Sequence, residues 1–436
     1  MDILIKDLDY AVDLNLNLYR DIDILLRRGD KGEITIHRGR NLMEKFNLDR
    51  RDLKIIEGNR RCAIPGLSNN HTHIPMTLLR GIADDMILQD WLESRIWPNE
   101  SKLTGEDVYY GALLGCLEML RFGVTSFNDM YFFPEEIVKG AKEIGIKGAV
   151  GFPVIDFGTP QYKDLDKLLR ACEEFIKRYL REEKIRPVVA PHAPYTCSRD
   201  TYVQCKEISQ EYNVPLHTHL SETRYEVVEM ENKIGRRPVE YLESIGVLGE
   251  NLIAAHCVWV TKEEVKKLGR YRVKVVHCPG SNMKLASGGV MPLVEMLKEG
   301  VSLSLGTDGP ASNNNLDILE EMKICALLHK AHRWDPRVGD VDTVLSMALN
   351  SKSIGFENRD VVLLDLKSPH LRPVHNIKSN IVYSANGNDV DTVIVDGEVL
   401  LENKRFSRIG DRDLEDKVVH LERLKEKREE IKSRIE

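Results

Sequence analysis

No stretch of this 436-residue chain approaches the roughly eighteen consecutive apolar residues that a membrane-spanning helix needs. The start, Met1-Asp2-Ile3-Leu4-Ile5-Lys6-Asp7, carries acids early and has no apolar core long enough for a secretory leader. Basic blocks are missing too, and the formal net charge is -7. That balance argues against nucleic acid or an anionic membrane surface as a partner. The eight cysteines, Cys62, Cys116, Cys172, Cys197, Cys205, Cys257, Cys278 and Cys325, form no CxxC pair. In a chain this long such scatter means reduced thiols and a cytoplasmic protein, not a disulfide framework. Several catalytic signatures are also absent. There is no HxE followed by PCxxC, no HExxH, no GxSxG and no Gly-Lys pair. These absences exclude cytidine-type zinc deaminases, zincin peptidases, serine hydrolases of the α/β-hydrolase kind and phosphate-cradling loops.

What is present is a histidine or aspartate near the end of one apolar run after another. Likewise ordered are the runs themselves: strands are predicted over 62–67, 124–131, 147–156, 185–192, 214–220, 252–257, 273–278 and 301–306. Helical stretches such as 105–121, 164–180 and 317–332 separate them, with apolar residues spaced by three and four. Eight such alternations predict a (β/α)8 barrel, a fold whose chemistry sits at the C-terminal ends of its strands. Short alternating segments before residue 62 and again at 360–365 and 391–400 predict a small discontinuous β-sandwich built from both termini. The expected division is therefore 1–61 and 359–410 for the sandwich and 62–358 for the catalytic barrel. A charged terminal helix is expected over 411–436, where Leu414, Val418, Leu421, Leu424, Ile431 and Ile435 make a helical stripe.

The first polar cluster is His71-Thr72-His73. Residues i and i+2 of an extended strand point the same way, so both imidazoles can face one ion. His217-Thr218-His219, His256 and Asp308 close later runs in the same manner. His71, His73, His219 and Asp308 together offer three nitrogens and one carboxylate oxygen, a set that suits a divalent metal ion. An ion so held brings water close to ionisation at neutral pH. His217 lies on the same face as His219, so spacing alone lets either bind; we read His217 as a supporting or core residue. Glu222, three residues past His219, is placed to move a proton between water and a ring nitrogen of a substrate. Without the histidines it would read as a first-turn acid stabilising the following helix. His256 could hold the attacking water. The run 188–192 has no lysine to bridge two metals, which favours a single ion.

Taken together, HTHIPMTLLRGIADD at 71–85, PHAPYTCS at 191–198, HTHLSET at 217–223, AHC at 255–257, SNMKLASG at 281–288 and GTDGPASNNNLD at 306–317 resemble the amidohydrolase superfamily. The wording is most similar to its 5-methylthioadenosine/S-adenosylhomocysteine deaminase branch, which includes 5'-deoxyadenosine deaminases; residues 376–400 are similar to it as well. The resemblance implies one divalent metal, zinc by preference over iron or manganese, on His71, His73, His219 and Asp308. It implies that Glu222 protonates N1 of adenine, that His256 sits beside the attacking oxygen, and that Asp308 carries the water's proton to the departing ammonia. Glu100 falls where the family binds the ribose diol, and His192 falls on a substrate-facing position. A homo-oligomer is also what the family suggests.

Three departures accompany the match. Pro310 follows Asp308-Gly309 where a small residue is usual, Cys278 replaces a usual asparagine after His277, and 336–362 is shorter than expected. Relatives that bind the amino-acid tail of S-adenosylhomocysteine carry arginines near 147–163; this chain has Phe152 and the Gly158-Thr159-Pro160 turn. A carboxylate stripped of water without a partner is costly. The expected substrate is thus a nucleoside with a small or apolar 5' group: 5'-deoxyadenosine, 5'-methylthioadenosine or adenosine, with S-adenosylhomocysteine weaker. The competing reading within enzymes is a free heterocycle such as guanine or a triazine, and the remote one is a non-catalytic binding protein.

Overall fold

Gly66 divides what the sequence presents as one apolar run. In the computed structural model, which describes residues 2–29, 33–410, 413 and 416–418, Arg61–Pro65 and Leu67–Thr72 are two strands in two different sheets. Leu67–Thr72 is β1 of the barrel. It is followed by β2 (Val124–Met130), β3 (Lys147–Val154), β4 (Ile185–Pro191), β5 (Leu216–Leu220), β6 (Leu252–His256), β7 (Lys274–His277) and β8 (Ser302–Leu305). All eight run parallel in chain order. The strand predicted over 62–67 is therefore corrected: its residues 62–65 belong to the other sheet, and His71 lies inside β1, not after it.

The seam between β1 and β8 is joined by backbone and side chain. Asp308 N donates to His71 O at 3.0 Å, and Thr307 N donates to Asn69 Oδ1 at 3.0 Å. Gly306 makes this approach possible, because a Cβ there would meet His71 O at 2.7 Å and His71 N at 2.8 Å. The helices expected from apolar spacing form at Gly105–Arg121, Leu165–Tyr179 and Ile318–Arg333. Each has a side-chain cap of the kind that satisfies free amide groups in a first turn: Thr104 with Asp107, Asp164, and Asp317.

The β unit from the two termini takes the form of one mixed sheet of nine strands. Arg61–Pro65 is its hinge, pairing parallel with Asp2–Val12 and antiparallel with Val361–Asp365. Alternation explains its double role. Cys62, Ile64, Val362 and Leu364 turn one way into the barrel's core, whereas Ala63, Val361 and Leu363 turn the other way to join Ile3, Ile5 and Ile24. The segment 336–362 returns beneath the barrel. Its Ile354 and Phe356 pack on Ala149, Val188, Ile253 and Val276 inside the strands, and Glu357 O accepts from Lys147 Nζ at the start of β3. The barrel interior is thereby filled at its N-terminal end, and the C-terminal end is left for chemistry. The helix expected over 411–436 lies, but for residues 413 and 416–418, outside the described residues. No helix of the described residues is long and apolar enough to cross a membrane.

Candidate metal centre and substrate cleft

Three imidazoles converge at the C-terminal mouth with their outer nitrogens already committed. His73 Nδ1 donates to Met130 O at 2.6 Å, and His219 Nδ1 donates to His192 O at 2.8 Å. Carbonyls only accept, so these bonds leave each Nε2 as a lone pair. His71 Nδ1 lies 2.8 Å from His217 Nε2, while His217 Nδ1 donates to Ile253 O at 3.0 Å. The three free Nε2 atoms face one region. His219 Nε2 is 3.3 Å from His73 Nε2, and Asp308 Oδ1 is 3.2 Å from His73 Nε2 and 3.5 Å from His71 Nε2. His71 Nε2 is buried with no hydrogen-bond partner. An orphaned buried acceptor beside two others and a carboxylate is the donor set a divalent cation satisfies, so these residues fit the ion that the sequence implied.

Asp308 is oriented from behind. Ser281 and Ser312 hydroxyls donate to its Oδ2 at 2.6 and 2.9 Å, which turns Oδ1 toward the imidazoles. Against the cost of burial, contacts with His71 and His73 hold its carboxyl well below the usual range. Burial drives His71 down to about 4. His73 goes the other way, to about 9: burial lowers it, but the bond and charge of Asp308, the charge of Asp129 and the Met130 carbonyl together outweigh burial. A proton shared by His73 and Asp308 is what an arriving cation would displace.

The chain reaches this geometry at a backbone cost. Ser221, His256 and Asp308, each just at or past a strand end, have φ of 52°, 72° and 61°. Such left-handed residues cost about 1–3 kcal/mol each and cluster where a fold holds functional groups. Glu226 offsets part of this by accepting Ser221 N and Glu222 N, both at 2.8 Å. That clamp aims Glu222 across the mouth, with Oε2 3.7 Å from His256 Nε2. Burial, then the Asp308 charge, pushes Glu222 up to about 8. The Asn282 amide donates to His256 Nδ1 at 3.0 Å, which places the ring proton on Nε2, buried and without a partner.

His73, His219, Glu222, His256 and Asp308 open onto one cleft. Glu100 lies in it on a one-turn helix, Trp97–Glu100, 5% exposed beside the Tyr131 ring. Burial lifts Glu100 to about 7. His192 also lines the cleft; burial takes its ring down to about 3, and Nδ1 meets Thr196 Oγ1 at 2.9 Å. Leu88, Trp91, Trp97, Phe132 and Ile155 supply an apolar wall, and among the described residues no Lys or Arg lines the cleft. Phe152 is not part of that wall. It points outward from β3 onto Phe175, 5.7 Å away, and the residues reaching the cleft here are Pro153 and Ile155. Pro310 and Cys278 are buried and accommodated: Pro310 O accepts Asn314 N at 3.1 Å, and Cys278 begins the short helix Pro279–Lys284. A second buried group, His277, Cys325 and His329, lies between β7 and the helix Ile318–Arg333. Its two Nε2 atoms are 3.2 Å apart, the span of an ordinary N–H···N bond.

Spacing along the chain had brought out the histidines, Glu222 and Asp308, and the structure gathers all of them. It did not bring out Ser281, Ser312, Asn282 or Glu226, nor the carbonyls of Met130 and His192. Ser281-Asn282 sits in the quoted 281–288 string, which was the one available signal for that pair.

The chain matches the amidohydrolase family over residues 62–400. It is 46% identical over 378 residues to a 5-methylthioadenosine/S-adenosylhomocysteine deaminase of Thermodesulfovibrio yellowstonii, covering 84% of this chain and 86% of that protein. A 5'-deoxyadenosine deaminase of Methanothermobacter thermautotrophicus is 44% identical over 364 residues, 80% of this chain and 84% of that one. Among solved structures, an adenosine deaminase from Xanthomonas campestris with bound zinc superposes with a TM-score of 0.92 at 30% identity, over 98% of each chain. A guanine deaminase from C. acetobutylicum, 21% identical, shares the fold with a TM-score of 0.81 over 92% of this chain and all of that one. A match that runs from the first barrel strand's approach through the returning sheet, joined to relatives this similar over four-fifths of the length, places the chain in the amidohydrolase family.

Proposed function

We propose that this protein is a cytoplasmic, metal-dependent aminohydrolase that converts adenine nucleosides with a small or apolar 5' group to the inosine analogue and ammonia. The observation that carries the reading is the convergence of three tautomer-fixed Nε2 atoms and Asp308 Oδ1 on one region of a cleft that also holds the buried acids Glu222 and Glu100. The names of the 46% and 44% identical relatives support the same chemistry. All eight cysteines are free and buried, which supports a reducing compartment.

His71, His73, His219 and Asp308 would hold one divalent ion, zinc by analogy with the Xanthomonas campestris structure. When bound, such an ion supplies the Lewis acidity that ionises water near neutral pH. Glu222, kept protonated by its surroundings, donates to N1 of the purine and so draws electron density from C6. Asp308 Oδ1 takes one proton of the attacking water and delivers it to the leaving amino group, and the other returns to Glu222, which leaves the carbonyl oxygen of the product and restores the acid. His256 donates from Nε2 to the attacking oxygen and keeps it aimed. Glu100 accepts the two ribose hydroxyls, a pairing that a single carboxylate makes well. His192 adds a neutral imidazole to the substrate-facing wall.

The 5' end would meet apolar side chains and no cation, which supports 5'-deoxyadenosine, 5'-methylthioadenosine and adenosine over S-adenosylhomocysteine. The reading is tested by ammonia release from these four compounds and guanine. Turnover of guanine with none of the nucleosides would overturn it, because Glu100 would then have no diol to bind.

A further inference from the structure

Of the three imidazoles at the centre, two owe their orientation to backbone carbonyls, Met130 O and His192 O. No single side-chain replacement removes those partners. His71 differs: its Nδ1 faces another side chain, His217 Nε2, at 2.8 Å, and both residues are fully buried. The pair is polarised from one end. Ile253 O, in β6, can only accept, so His217 Nδ1 carries a proton and its Nε2 does not. His71 Nδ1 must then donate, and its Nε2 is left bare toward Asp308. A carbonyl on β6 thus dictates, through β5, which nitrogen is free on β1.

We propose that His217 is a positioning residue that sets metal affinity by fixing the tautomer and ring angle of His71 through this His71–His217–Ile253 relay. The inference rests on the reading of His71 as a metal ligand. It assigns His217 no contact with substrate or ion: among the described residues its polar partners are His71 and Ile253 O.

Two variants separate the relay from simple core filling. In His217→Gln the longer amide can donate to Ile253 O and accept from His71 Nδ1, which restores the same polarity. In His217→Asn the amide reaches Ile253 O and falls short of His71. Zinc affinity of the full-length protein is measured by chelator competition, alongside the visible spectrum of the cobalt-substituted protein and the melting temperature of the metal-free form. The expectation is a 10–100-fold weaker zinc affinity for His217→Asn, the usual effect of losing such a partner, with an altered cobalt spectrum. His217→Gln should stay within a few-fold of wild type with an unaltered spectrum. Wild-type affinity and spectrum in His217→Asn would overturn the proposal, and so would equal losses in both variants that track a lowered melting temperature. His71→Ala is the control for the underlying reading. If it leaves zinc content untouched, the metal centre itself is misassigned; if it loses zinc while His217→Asn binds normally, only the relay fails.

Discussion

Replacing Glu222 with glutamine isolates proton transfer from everything else the site does. The residue is 7% exposed, and its backbone is clamped by Glu226, so an isosteric amide keeps the shape of the cleft. Glu222 is outside the group of atoms that converge on the metal region, so zinc content should not change. Nor should the fold suffer. The helix Arg224–Ile234 is capped by Thr223, whose hydroxyl accepts Glu226 N at 3.1 Å, so the following helix does not depend on Glu222. A stability change within about 0.5 kcal/mol is expected for such a substitution. The rate is another matter. An amide can donate a hydrogen bond to N1 but cannot give up the proton, and losing a positioned acid costs roughly 10²–10⁴-fold in kcat, or about 2.7–5.4 kcal/mol of barrier. The pH profile supplies a second readout. Only the protonated acid is active, so kcat/KM of the wild type should be full at low values of this limb and fall as pH rises through Glu222's own pKa. That value is about 8 without the ion, and a bound cation pulls it lower. The limb should be absent in Glu222→Gln. The assay follows the ultraviolet change from adenine to hypoxanthine, with zinc content measured on the same sample. A variant that turns over at the wild-type rate with its metal in place would refute the assignment and reduce Glu222 to a first-turn acid.

Chelation should abolish activity, and about one metal per chain should be recovered by elemental analysis, as a single His3Asp set implies; a fully active metal-free preparation would contradict this. Glu100→Ala should weaken ribonucleosides far more than their 2',3'-dideoxy analogues in kcat/KM, and a uniform loss across both sets would mean that Glu100 serves only the fold. With no Lys or Arg lining the cleft among the described residues, 5'-deoxyadenosine or 5'-methylthioadenosine should exceed S-adenosylhomocysteine in kcat/KM. A missing charge-assisted pair is worth about 1.5–3 kcal/mol, roughly one to two powers of ten, and S-adenosylhomocysteine as the best substrate would refute it. The metal-free protein should lose thermal stability from about pH 6.5 to 8. Burial holds Glu226 and Glu321 up to about 7 and 8, so the fold keeps protons there that the unfolded chain has already released. A melting temperature that rises across that window would contradict the assignment.

Much of this site is legible in the sequence because barrel chemistry is written in a simple order: an apolar run, then a polar residue where the strand ends. The parts that escape are those where two arrangements share one pattern. Residues 62–67, Cys-Ala-Ile-Pro-Gly-Leu, read as one apolar run, yet 62–65 and 67–72 belong to different sheets, and only Gly66 hints at the break. Strand β3 shows the same limit on a finer scale. Its period of two places Phe152 and Pro153 on opposite faces but does not say which face is inward; the packing of Phe152 on Phe175 does. The His217–His219 pair makes the sharpest case. Period two puts both rings on the inner face of β5, and the residues differ only in depth, by about 6.6–6.8 Å along the strand. That rise is enough to take His217 out of reach of the ion region and set its Nε2 against the back of His71. Facing direction is a local property that alternation encodes. Depth in a barrel is set by the stagger of neighbouring strands, here β5 against β6 with His217 opposite Ile253, and no pattern within β5 contains it. The residues hardest to read from sequence are accordingly those that hold the ligands in place, because their partners lie on other strands at a register that only the closed barrel defines.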